Sequence, residues 1–203
     1  VLLAGGQSRR MGRDKAQLQL PDGQTLLQRA ESLLRSLCAS EAVQFLPPLI
    51  SGDRPGGVAD SASGRGPLGG LHSVCEYLPE KNVACDALLA IPVDMPFLHA
   101  ELLEKLCLEG AGGGVGALCF GRCHLPLWLR LDESSRDYLR GFMEGKKETS
   151  VRALVRQLGG RQLEMPPGNW HLNVNRPEEF AEACGDFFEV REFQCNTQKK
   201  IHH

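Results

Sequence analysis

Three apolar runs in this chain each stop abruptly at a polar cluster, and that constrains the fold more than any other feature. Val1-Leu2-Leu3-Ala4 halts at Gly5-Gly6, followed by a loop carrying Arg9, Arg10, Arg13 and Lys15. Ala87 to Val93 halts at Asp94-Met95-Pro96, and the stretch from His171 to Asn175 ends on Asn173-Val174-Asn175. Short apolar runs without alternation suit strands buried on both faces of a sheet. Ligands of such sheets bind beyond the carboxyl ends of the strands, where these three clusters would lie.

Between the runs the periodicity turns helical. Thr25 can cap a helix whose apolar stripe is Leu26, Leu27, Ala30, Leu33, Leu34 and Leu37. Helices are also expected over 71–78, 100–109, 134–143, 150–158 and from Pro177 to about Cys184. Strands are expected over 43–51, interrupted by Pro47-Pro48, over 115–120 and 125–131 around a turn at Gly121, and near 161–165. His171 to Asn175 reads as a strand end. Gly52 to Gly66 reads as a long loop, and Gly66-Pro67-Leu68-Gly69-Gly70 as its lead into the next helix. Alternating strand and helix predicts an α/β chain, a three-layer α/β/α sandwich around a mostly parallel sheet. With 203 residues and 42% hydrophobic content it can bury a sizeable core as one domain, about 1–184 as core and 185–203 as a tail.

Composition excludes several classes. A net charge of −2 argues against a nucleic-acid-coating protein. No apolar run approaches the ~18 residues of a membrane span. The eight cysteines form no Cys-x-x-Cys pair, so most of them read as small buried hydrophobes of a reduced, cytoplasmic protein. Cys119, Cys123 and His124 read as strand residues beside a tight turn rather than as a zinc site.

The first loop is suited to phosphates. Gly5 and Gly6 let backbone N–H groups approach an anion, and four cations follow within seven residues. It matches neither the Walker A pattern nor the dinucleotide fingerprint. Asp94, directly after an apolar strand, is placed to hold Mg²⁺ against a triphosphate. Asn173 and Asn175, two apart on a strand, would share one face and orient a substrate or complete a metal shell; Asn175 is equally suited to capping the helix at Pro177. Asp60 is either a ribose or base contact or an ordinary loop residue. The histidines do not cluster and no nucleophile–base pair is evident, which leaves direct transfer on a metal-bound nucleotide.

Leu3-Ala4-Gly5-Gly6-x-Ser8-x-Arg10-Met11-Gly12-x-Asp14-Lys15 resembles the opening motif of molybdenum cofactor guanylyltransferases, the MobA family. Three further stretches are similar to motifs of that family in the same order: Asp60 with Gly66-Pro67-Leu68-Gly69-Gly70, Pro92-Val93-Asp94-Met95-Pro96-Phe97, and Asn173-Val174-Asn175-x-Pro177-Glu178-Glu179. The resemblance implies the nucleotide-diphospho-sugar transferase fold, which is Rossmann-like. It also implies Mg²⁺-dependent transfer of GMP from GTP to Mo-molybdopterin, with pyrophosphate released. By position, Leu3, Ala4, Gly5 and Gly6 would take the nucleotide, with Ser51 standing where relatives often have Asn. Lys15 and Arg10 would neutralise phosphates, Asp60 would contact the nucleoside, and Asp94 would hold both Mg²⁺ and triphosphate. Asn173 and Asn175 would lie on the pterin side. GTP is expected over CTP, with Gly69 and Gly70 letting backbone approach a purine edge. Transient contact with proteins that mature molybdoenzymes is a further expectation; nucleic acid and membrane are not expected partners. Two alternatives stay open: the same fold using CTP or another phosphorylated acceptor, and a non-catalytic relative that only binds nucleotide or cofactor.

Overall fold

The computed structural model describes residues 1–5, 14–62 and 64–185. Its sheet has six strands in the order β2-β1-β3-β5-β4-β6: β1 (Leu2–Leu3), β2 (Ile50–Ser51), β3 (Ala87–Pro92), β4 (Ala117–Phe120), β5 (Cys123–Arg130) and β6 (Arg161–Leu163). Pairing is parallel for β1–β2, β1–β3 and β4–β6, and antiparallel for β3–β5 and β4–β5. Only β5 is therefore reversed, because the β4–β5 hairpin turns tightly at Gly121, whose φ is 47°.

Side chains alternate across this sheet and build two cores. Leu3, Leu88, Ala90, Ala117, Cys119, Leu127 and Leu129 face helices α2 (Gly66–Glu80), α4 (Glu133–Met143) and α5 (Val151–Gln157). Leu2, Ile91, Leu118, Phe120 and Trp128 face α1 (Leu26–Arg35) and α3 (Ala100–Ala111). A run such as Leu88-Leu89-Ala90-Ile91 is apolar throughout because both faces are covered. The expected three-layer sandwich is thus present. A last helix covers residues 177–185.

Local signals account for most boundaries. Thr25 caps α1 through a reciprocal box with Gln28, and Asp132 caps α4 in the same way with Ser135. Ser150 accepts from the Ala153 N–H at the start of α5. Three expectations fail. The strand at 43–51 shrinks to Ile50–Ser51, since Pro47-Pro48 offer no backbone donors, although the Leu2 N–H still reaches the Leu49 carbonyl at 2.8 Å. Helix α2 begins at Gly66 rather than 71, because Pro67 sits in its first turn, where a missing N–H costs nothing. Residues 171–175 are not a strand: the Val174 N–H donates to the Asp94 carbonyl (2.8 Å), while those of Asn175 and Arg176 go to the Glu179 carboxylate. That segment is pinned by single bonds and joins no ladder.

The cysteines are free thiols among the described residues. Cys75, Cys107 and Cys119 are buried as expected, whereas Cys38 is exposed and Cys85, Cys123 and Cys184 are half-buried. Burial pushes the Cys75 and Cys107 thiols up to about 12, so both are inert hydrophobes. Cys195 lies outside the described residues. No described helix is long and apolar enough to cross a membrane.

Candidate active site

The carboxyl ends of β2, β1 and β3 and the amino end of the reversed β5 meet on one edge of the sheet, and a cavity of about 550 Å³ opens there. That volume lies within the range of about 300–1,000 Å³ usual for small-molecule sites. Leu3, Ala4, Gly5, Lys15, Ser51, Asp60, Asp94 and Asn173 all line it. Gly6 and the loop cations Arg9, Arg10 and Arg13 lie outside the described residues, and Asn175 reaches the site through Lys15.

Lys15 is the hub. It opens a single 3₁₀ turn, Lys15–Gln17, which Asp14 caps by accepting from the Ala16 N–H at 3.1 Å. Its Nζ donates to Asp94 Oδ2 at 3.1 Å and to Asn175 Oδ1 at 2.6 Å. The two charged side chains are 16% and 19% exposed, so the pair is sheltered but still wet enough to exchange partners. Asp94 does not cap α3; its carboxylate takes Lys15 while its carbonyl anchors Val174. Asn175 likewise spends its side-chain oxygen on Lys15 rather than on the 177–185 helix. Residues 79 and 160 positions from Lys15 thereby converge on one ammonium.

The β1–β2 end of the cavity is held by close backbone approach. A Cβ added to Gly5 would stand 2.7 Å from Asp60 Oδ2, so Asp60 packs directly on the end of β1. The Ser51 hydroxyl donates to Asp60 Oδ1 at 3.3 Å. A Cβ at Gly70 would meet Ser51 Oγ at 2.3 Å and Leu3 at 3.2 Å; the bare Cα therefore lets α2 press onto β1 and β2. A Cβ at Gly69 would meet Arg65 Cβ at 2.6 Å, a contact within the start of α2 itself. At this rim α2 presents Gly66, Pro67 and Gly70 to the cavity, so Gly70 both packs on Ser51 and borders the site, whereas Gly69 does not line it.

Two residues escaped the sequence reading. Arg54 forks onto Asp14, with Nη1 to Oδ2 at 2.8 Å and Nη2 to Oδ1 at 2.7 Å, and also donates twice to the Ala4 carbonyl at 3.1 Å. It ties the chain before the phosphate loop to the chain after it, and its bidentate hold keeps the Asp14 carboxyl below the usual carboxylate range. Nothing in its neighbourhood, a glycine-rich loop, marks it out. His124, considered only as a zinc ligand, lines the cavity with Arg122 and His171. Burial, helped by the nearby charge of Arg152, lowers the His124 pKa, which keeps its imidazole neutral.

Electrostatically the β1–β3 side holds Lys15 and Arg54 against Asp14, Asp60 and Asp94. Carboxylates outnumber cations among the described residues there, and positive charge beside Asp94 favours a polyphosphate. No group of three or more His, Cys, Asp or Glu among the described residues forms a ready-made metal cage. A cation at Asp94 would complete its shell with oxygens of water, neighbouring amides or substrate.

A fold of this kind with a site of this composition has known counterparts. The model of the MobA-like NTP transferase domain matches residues 1–163. The chain is 38% identical over 186 residues to a molybdenum cofactor guanylyltransferase of Xanthomonas euvesicatoria, covering 89% of this chain and 91% of that protein. It is 32% identical over 206 residues to the protein of that name in Rhizobium meliloti, covering 95% and 94%. The crystal structure of molybdopterin-guanine dinucleotide biosynthesis protein A from Archaeoglobus fulgidus superposes with a TM-score of 0.72, covering 93% of this chain and 97% of that one. At 19% identity that last likeness speaks for the fold. With a matching family model over most of its length and relatives above 30% identity along nearly all of it, the chain belongs to the MobA-like NTP transferase family.

Proposed function

We propose that this protein transfers GMP from GTP to the phosphate of Mo-molybdopterin, forming the guanine dinucleotide cofactor and releasing pyrophosphate. The observation that carries this is the convergence of Lys15, Asp94 and Asn175 midway along one cavity, between the β1–β2 end and the β4–β5 hairpin. The names of the relatives, guanylyltransferases of the molybdenum cofactor, support guanine and that acceptor. Leu3, Ala4, Gly5, Ser51 and Asp60 take the nucleoside, and Lys15 swings from Asp94 onto the phosphates, joined by the loop with Gly6 and Arg10. Asn173 and Asn175 border the acceptor. An acceptor phosphate oxygen attacks the α-phosphorus, the bond to the β-phosphate bridging oxygen breaks, and pyrophosphate leaves with that electron pair. Such a step needs alignment and charge neutralisation rather than a covalent protein intermediate.

The donor set fits Mg²⁺. Asp94 and Asn175 offer hard oxygens that already share one cation, the Lys15 ammonium, and Mg²⁺ is commonly held by one or two carboxylates plus substrate phosphates. Bound there, it would offset the excess of carboxylates and polarise the triphosphate. Residues 1–184 form the working nucleotidyltransferase domain, and the free thiols suit a cytoplasmic setting.

The test is pyrophosphate release with GTP, Mg²⁺ and Mo-molybdopterin, run beside a no-acceptor control and with CTP in place of GTP. Release that depends on acceptor and Mg²⁺ and favours GTP is expected. Preference for CTP would move the protein to cytidylyl transfer, and no acceptor-dependent release with either nucleotide would reject nucleotidyl transfer to this acceptor.

A further inference from the structure

Nucleotidyl transfer brings two phosphates together, and their mutual repulsion must be met from the acceptor's side as well as the nucleotide's. Lys15 and Asp94 serve the nucleotide. Across the cavity, the lining residues Arg122, His124, Leu125, Val151, His171 and Asn173 include no carboxylate. Resting on the transfer reading above, we propose that Arg122, His124 and His171 bind the phosphate of the acceptor, Arg122 as the charge and the two imidazoles as fixed N–H donors.

The imidazoles carry this beyond a generic basic wall. Nε2 of His124 and Nδ1 of His171 are buried with no hydrogen-bond partner among the described residues. An orphaned buried N–H is among the least tolerated of polar groups, so in each neutral ring the proton resides on the other nitrogen. The donor left for a bound ligand is then Nδ1 of His124 and Nε2 of His171. His124 is held neutral by burial and Arg152, so it donates one hydrogen bond of fixed direction. The sheet order sets the geometry: β3, with Asp94 at its end, lies between the nucleoside strands β1 and β2 and the hairpin strands β5 and β4. A phosphate held at the hairpin therefore faces the Asp94 and Lys15 position from the side opposite the nucleoside.

Tautomer assignment makes the test specific. The Asn amide nitrogen superposes on histidine Nδ1, and the Gln amide nitrogen on Nε2. His124→Asn and His171→Gln should keep the acceptor KM within about twofold of wild type, whereas His124→Ala, His171→Ala and Arg122→Ala should each raise it about tenfold or more. GTP affinity, measured by titration without acceptor, should not change in any of them, which also verifies folding. Inorganic phosphate should compete with acceptor in wild type and compete less in the Ala variants. An unchanged acceptor KM in the Ala variants, or a parallel loss of GTP affinity, would overturn the proposal while leaving wild-type transfer intact. Absence of transfer by the wild type would instead reject the reading it rests on.

Discussion

The two ends of the cavity are built differently. At the β1–β2 end the packing leans on backbone closeness: Asp60 on the bare Cα of Gly5, Ser51 against Gly70, and Arg54 on the Ala4 carbonyl. At the hairpin end, Arg122, His124 and His171 line the cavity from the hairpin turn, from β5 and from the turn at 170–171. Close packing restricts residue choice at neighbouring positions, so the first end is written as contiguous motifs. The second end is assembled only when β5 reverses and residue 171 folds back, so it leaves scattered letters.

The largest effect is expected midway between the ends. Asp94→Asn keeps the shape but removes the charge that takes Lys15 and would take Mg²⁺. Turnover should fall about 10²-fold or more with the fold intact, read by initial rates across a Mg²⁺ series. Near-normal turnover with unchanged Mg²⁺ dependence would take Asp94 out of the chemistry and dissolve the boundary between the two ends.

Lys15→Ala comes next. It should weaken GTP binding by about 1.5–3 kcal/mol, the worth of a charge-assisted contact, and leave guanosine binding nearly unchanged. Parallel titrations of the two ligands measure the difference. Equal losses would make Lys15 a structural tie between Asp94 and Asn175.

Gly70→Ala tests whether the nucleoside end is as tightly packed as described. The new methyl meets Ser51 Oγ, so unfolding by denaturant should show a loss of about 1–3 kcal/mol. Adding Ser51→Ala removes that oxygen, leaving the next contacts above 3 Å, and should return part of the loss. Full additivity of the two substitutions would mean that they do not touch.

The smallest effect concerns Arg54. Arg54→Ala should raise the KM for GTP by up to about tenfold with little change in kcat, because the residue positions the phosphate loop and meets no substrate. Its partner adds a pH signature. The folded pKa of Asp14 is depressed, so the tie is fully present above the unfolded value near 3.9 and is lost as pH falls through the folded value. GTP affinity should therefore hold down to about pH 4 as far as this pair is concerned, and Asp14→Asn should remove that part of the acid sensitivity.

Much of this was legible in the chain. The strands Leu2–Leu3 and Ala87–Pro92 read as buried runs because both of their faces are covered, and α1 read from Thr25 and its leucine stripe. Leu3, Ala4, Gly5, Lys15, Ser51, Asp60 and Asp94, all named from the sequence, line one cavity. What stayed hidden depends on contacts far apart in sequence. Arg54 acts through carboxylate and carbonyl partners 40 and 50 positions away. The Asn173–Asn175 segment mimics a strand in sequence, yet the Asp94 carbonyl and Glu179 claim its backbone. Gly70 suggests only openness to a ligand in sequence, yet its bare Cα also lets α2 press on Ser51.

The most direct test of the central claim is a crystal structure of the protein with Mg²⁺ and a non-hydrolysable GTP analogue. The guanosine should lie against Leu3, Ser51 and Asp60, with the phosphates turned toward Lys15 and Asp94 and the hairpin wall of Arg122, His124 and His171 left to the acceptor. A nucleoside seated on the hairpin wall, or a triphosphate directed away from Asp94, would contradict the division of the cavity described above.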